Sequence, residues 1–152
     1  MVKITSNLSG LEIKIVSFLL ERITEQFAIR ELARQIKRDY KSVYMTMKKL
    51  VGKNILLKKR IGNADLCSLN LRDGFTNICY VELLRTKFFL EKNHDLKTFF
   101  TQIEEKIKTA YYTLVIFGSF AKRKEKKESD LDLIIITTTK DIGEEIERVT
   151  QS

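Results

Sequence analysis

The sequence predicts an α+β chain in three parts: three helices and a hairpin first, then two connecting helices, then a pair of strands. Three observations predict it. Apolar residues recur at helical spacing through the first fifty positions and switch to strand-like runs afterwards. Glycine and asparagine punctuate the places where the pattern changes. The charge is also divided unevenly: residues 1–93 hold 18 Lys/Arg against 9 Asp/Glu, a net of +9, whereas residues 94–152 hold 10 against 11, a net of −1. A basic excess confined to one part suggests a polyanionic partner for that part.

In chain order, Leu11, Ile15, Phe18 and Leu19 make one apolar stripe, predicting a helix over about Gly10 to Ile23. Ala28 to Lys37 is a second, short helix with Ile29, Leu32, Ala33 and Ile36 inward. Asp39 fits the N-cap of a third helix, Tyr40 to Val51, with Val43, Met47 and Leu50 inward. Gly52 and Asn54 end it, Asn54 being suited to a left-handed backbone. Ile55 to Ile61 reads as a strand, Gly62-Asn63-Ala64-Asp65 as a tight turn, and Leu66 to Leu71 as the returning strand.

Arg72 to Thr109 reads as helical, with Phe75, Ile78, Cys79, Glu82 and Leu83, then Phe88, Phe89 and Leu90, on a long helix broken near Asn93-His94. A second helix follows, carrying Leu96, Phe99, Phe100, Ile103 and Ile107 on one stripe expected to pack against the later strands. The aromatic surface of the first of these helices is an alternative homodimer interface. Tyr111 to Phe117 is β-branched and aromatic, a strand, stopped by Gly118-Ser119. Leu133 to Ile136 is nearly all apolar, the pattern of a strand buried on both faces.

Between these strands stands the chemistry. Side chains alternate along a strand, so Asp130 and Asp132 point to the same side and offer hard oxygen ligands for Mg²⁺ or a similar ion. Gly118 permits a close backbone approach, and the amides following it, opening a helix, suit a phosphate.

Gly118-Ser119, a spacer, then Ser129-Asp130-Leu131-Asp132 resembles the signature of the nucleotidyltransferase superfamily with the DNA polymerase β-like fold, in particular its minimal nucleotidyltransferase branch. That resemblance implies nucleotide binding by Gly118, Ser119, Lys122 and Ser129, and catalytic metals on Asp130 and Asp132, with a nucleoside triphosphate as ligand or substrate. Lys122 stands where the family often has arginine, and the family's second glycine is replaced. The usual third carboxylate, on a later strand, has no evident counterpart: Asp141, Glu144, Glu145 and Glu147 read as an exposed helix. The sequence is therefore expected either to continue past Ser152 or to have lost a catalytic member. Minimal nucleotidyltransferases often pair with a small helical partner protein, which the resemblance brings in as a further partner.

The order helix, helix, helix, hairpin resembles the winged helix-turn-helix family, the run from Glu31 to Leu56 matching its central segment. In that fold the third helix enters the major groove. Tyr40, Lys41, Ser42, Tyr44 and Met45 would meet base edges of DNA or RNA, with Lys48 and Lys49 nearer phosphate and Lys58, Lys59 and Arg60 on the wing. The organisation so read is a winged helix-turn-helix domain at 1–72, a helical connector at 73–110 and a nucleotidyltransferase-like domain, incomplete if the chain continues, at 111–152. The N-terminus shows no signal-peptide core and no apolar run approaches membrane-spanning length, so the cytoplasm is the expected location. Cys67 and Cys79 are not spaced as a zinc pair and are expected to be reduced thiols.

Overall fold

The computed structural model describes residues 7–108, 111–121, 130–138 and 142. The chain divides into two compact units, Met1–Phe89 and Leu90–Ser152.

The first unit runs α1 (Gly10–Leu20), β1 (Phe27–Ala28), α2 (Ile29–Gln35), α3 (Tyr40–Gly52), β2 (Leu56–Ile61) and β3 (Ala64–Leu69), then α4 (Phe75–Lys92), which carries on past the division. Ser9 and Glu12 form a reciprocal capping box that starts α1. Asp39 caps α3 as its position predicts, its carboxylate accepting the Ser42 N–H at 2.8 Å. That N–H bond holds the Asp39 carboxyl below the ordinary carboxylate range. Asn54 takes the left-handed conformation expected of it, φ +56°. The hairpin pairs Leu56 with Leu69 through Ile61 with Ala64, so the turn is only Gly62-Asn63. Ala64 and Asp65, expected in the turn, belong to β3 because a two-residue turn already matches the twist of the strands.

Two-residue β1 is absent from the sequence reading. Phe27 and Ala28 pair antiparallel with Cys67 and Leu66, giving the sheet order β1-β3-β2. Ile15, Val16 and Leu19 of α1, Leu32 of α2, and Val43, Met47 and Leu50 of α3 close over this sheet as one buried core. Each such side chain contributes on the order of 1.5–3 kcal/mol through removal from water. Three helices with a hairpin and a short third strand are the winged helix-turn-helix arrangement.

Helix α4 turns only part of its apolar surface inward. Ile78 and Val81 are buried, while Phe75 and Leu83 are 64% and 63% exposed. Apolar residues lie all round α4, so spacing alone does not select its inner face.

In the second unit are α5 (His94–Lys106), β4 (Tyr112–Ile116), α6 (Gly118–Ala121) and β5 (Leu133–Thr137). β4 and β5 pair antiparallel, Ile116 opposite Leu133 and Tyr112 opposite Thr137. The α5 stripe packs as predicted: Ile103 and Ile107 are buried with Ile142, against Phe99, Phe100, Tyr112, Leu114 and Ile135. The expectation that β5 is buried on both faces is corrected. Its exposure alternates, with Ile134 and Ile136 47% and 60% exposed, because helix α5 covers only one side of the strand pair.

Candidate functional site

The second unit builds its site from the register of β4 and β5. The Phe117 N–H donates to the Asp132 carbonyl at 3.0 Å, carrying the ladder one step past Ile116 and Leu133. From Asp130 to Thr138 exposed and half-buried positions alternate without a break, which places Asp130 and Asp132 on the side opposite α5. Gly118 sits across the ladder from this pair at φ +69°, and a Cβ there would collide with the Asp132 Oδ2 and lie 2.9 Å from its Cγ. The structure thus brings Gly118 and Asp132 together. Ser119 follows in the four-residue α6, half-buried. Lys122 and Ser129 lie outside the described residues, as do Asp141, Glu144, Glu145 and Glu147.

The donor set fits a hard divalent cation. Mg²⁺ is commonly held by one or two carboxylates, with water and substrate phosphate completing its octahedron. Two exposed aspartates on one side of a strand end supply that number. Among the described residues no group of three or more His, Cys, Asp or Glu could hold a metal by itself.

The first unit presents the other surface. Burial of Val43, Met47 and Leu50 fixes the rotation of α3, which leaves Tyr40, Lys41, Ser42, Met45, Lys48 and Lys49 exposed. Tyr44 is half-buried, its ring stacked on Tyr40 at 5.9 Å between centroids. The Arg30 guanidinium of α2 lies 5.8 Å from the centre of the Tyr40 ring. The sequence reading did not include Arg30; its one signal was a place on the solvent side of α2, opposite Leu32 and Ala33. On the hairpin, Lys58, Lys59 and Arg60 are exposed, and Lys58 is paired with Asp65 at 3.2 Å.

A structural ion pair ties α1 to the end of α3: Lys53 Nζ donates to Glu12 Oε1 at 2.6 Å and to the Asn7 carbonyl at 3.1 Å. Burial acts to raise the Glu12 pKa, but hydrogen bonds from Lys53 and Ser9 outweigh it and hold the carboxyl below its usual value. Cys67 and Cys79 are free thiols, and burial chiefly, with the Asp65 charge, pushes Cys67 up to about 11.

Residues 89–152 match the family described as "Polymerase beta, Nucleotidyltransferase". This segment is a nucleotidyltransferase-family domain, and the chain joins it to a winged helix-turn-helix. No curated protein matches the chain. Among solved structures, the chain is similar to a homodimeric winged helix-turn-helix DNA-binding domain from Mycobacterium bovis, described as a possible ArsR-family transcriptional regulator. That similarity is 13% identity over 52% of this chain and 70% of that one, TM-score 0.44. It is also similar to a possible transcriptional regulator from Methanosarcina mazei, at 18% identity over 60% and 79% of the two chains, TM-score 0.42. Scores this low leave the winged-helix assignment resting on the element order and register above. Among the described residues, no helix is long and apolar enough to cross a membrane.

Proposed function

We propose that this is a DNA-binding, transcription-regulator-like protein of the cytoplasm whose nucleotidyltransferase-fold domain binds a nucleoside triphosphate with Mg²⁺. The observation that carries the reading is the outward face of α3. A buried stripe of Val43, Met47 and Leu50 holds the opposite side, with Tyr40, Lys41, Met45 and Lys48, open to a groove. Phosphate contacts from Lys and Arg supply the sequence-independent part of such binding and make it salt-dependent. Tyr40, Lys41, Ser42, Tyr44 and Met45 would read bases; Lys48 and Lys49, with Lys58, Lys59 and Arg60 of the hairpin, would hold phosphate. Lys58 enters that set less freely, since Asp65 already offsets its charge.

Support for the nucleotide half comes from the family match and from the exposed pair Asp130 and Asp132 beside Gly118. Those two carboxylates would hold the metal. Gly118 and Ser119, with Lys122 and Ser129, would take the triphosphate. The bound metal would neutralise phosphate charge.

The family match also favours a second reading, a working nucleotidyltransferase that moves a nucleotide from a triphosphate to an RNA, protein or small-molecule acceptor. In it the acceptor hydroxyl attacks the α-phosphate in line and pyrophosphate leaves. That reading requires a group to activate the hydroxyl, and among the described residues no third His, Cys, Asp or Glu joins Asp130 and Asp132 in a metal-holding group. A homodimer and a helical partner protein are compatible with either reading.

The test is duplex binding by the full chain at low salt, with Lys41→Glu and Lys48→Glu. Both variants should weaken DNA binding and leave nucleotide binding intact. Unchanged DNA affinity in both would remove α3 from the interface.

A further inference from the structure

Two cations on the helix-turn-helix are held by aromatic rings instead of carboxylates. The Arg30 guanidinium carbon lies 5.8 Å from the Tyr40 ring centre, Tyr40 stacks on Tyr44 at 5.9 Å and 27°, and Lys48 Nζ lies 5.8 Å from the Tyr44 ring centre. The row therefore runs cation, ring, ring, cation, from α2 along the outer side of α3.

Four other basic residues in this unit are neutralised by carboxylates, Arg22 among them although it also lies 4.3 Å over the Phe18 ring. Arg22, Lys53, Lys58 and Arg85 each form an ion pair with a carboxylate. Among the described residues neither Arg30 nor Lys48 does so. The distinction is physical. A carboxylate orients a cation and cancels its charge, whereas a ring orients it through its quadrupole and leaves the charge whole. At an exposed site that attraction is about 0.5–1 kcal/mol, enough to bias rotamers of two long side chains without immobilising them. Tyr40 is itself 47% exposed, so the row is a surface feature with its charges open to solvent.

We propose that Arg30, with Lys48, contacts the phosphate backbone of duplex DNA, and that the Tyr40–Tyr44 stack is a positioning element holding these two charges at the ends of one row. The proposal rests on the DNA-binding reading above and adds α2 to the interface. Arginine suits the position because its planar fork meets phosphate through two hydrogen bonds and also lies well on a ring. Holding both side chains in place beforehand reduces the conformational entropy lost on binding.

The test is the salt dependence of duplex affinity for the full chain, beside its urea stability. Each phosphate contact contributes about −0.9 to the slope of log K against log salt for B-form DNA. Arg30→Gln should shrink the slope by about 0.9 at unchanged stability, and Arg30→Lys should restore it. Tyr40→Leu, which keeps both cations and loses the row, should lower affinity about threefold to tenfold. A wild-type slope and affinity in Arg30→Gln would overturn the proposal, as would a loss of affinity that follows a loss of stability with the slope intact. Tighter binding of single strands than of duplex would overturn it too. Absence of any DNA binding by the wild type at low salt would instead remove the DNA-binding reading on which it stands.

Discussion

The carboxylate of Asp132 lies over the Cα of Gly118, across the ladder between β4 and β5, in the space a Cβ would need. The Phe117 N–H bond to the Asp132 carbonyl, 3.0 Å, keeps the two backbones from separating. Gly118 is thus required twice, by its φ of +69° and by its neighbour. Substitution with alanine would cost about 1–2 kcal/mol for the left-handed backbone and would turn the Asp132 side chain away from the side it shares with Asp130. Gly118→Ala should reduce Mn²⁺ affinity, measured without nucleotide, as far as Asp132→Asn does. Metal affinity kept while nucleotide binding is lost would give the glycine to the phosphates instead.

The Glu12–Lys53 pair gives stability a definite pH dependence. Glu12 is almost wholly buried, and hydrogen bonds from Lys53 and Ser9 outweigh burial and hold its folded pKa below the ordinary carboxylate value. A depressed carboxylate pKa contributes stability that is fully present above the unfolded value and disappears as pH falls through the folded one. Urea midpoints should therefore fall between about pH 5 and pH 3 more steeply in the wild type than in Glu12→Gln. At neutral pH Glu12→Gln should cost about 1–3 kcal/mol, the range for breaking a buried polar pair. Parallel pH profiles for the two proteins would show that the pair does not control acid stability.

The inner face of α4 can be tested by two truncations two residues apart. Val81 has no exposed surface and Leu83 is 63% exposed. Val81→Ala should destabilise the first unit by about 1–2.5 kcal/mol, a transfer term plus a small cavity. Leu83→Ala should stay within about 0.5 kcal/mol, as surface changes usually do. Urea denaturation of the two variants decides; the reverse ranking would make the side carrying Leu83 the inner one.

What could be read in advance follows from how local each determinant is. Helix α3 was legible because Asp39, the Val43–Met47–Leu50 stripe and Asn54 all act within a few residues of one another. Ser9-Gly10-Leu11-Glu12 was equally local, a capping box in plain sequence that the apolar stripe overshadowed. Phe27–Ala28 was not legible, since a strand of two residues exists only through pairing with Cys67 and Leu66. The run Leu133 to Ile136 carries no polar residue to mark its outer face, so its one-sided burial depends on where α5 lies. The candidate site divides in the same way. Asp130 and Asp132 stand out through their spacing, whereas Gly118 meeting Asp132 depends on strand register, and Arg30 meeting Tyr40 on the packing of α2 against α3.

The most direct measurement of the central claim is calorimetric titration of ATP, GTP, CTP and UTP, each with Mg²⁺, into the full chain and into a chain carrying both Asp130→Asn and Asp132→Asn. The account predicts binding of at least one triphosphate by the wild type, lost in the double variant while the protein stays folded. Equal binding by both proteins, or no binding of any triphosphate by the wild type, would contradict a nucleotide and metal site at Asp130 and Asp132.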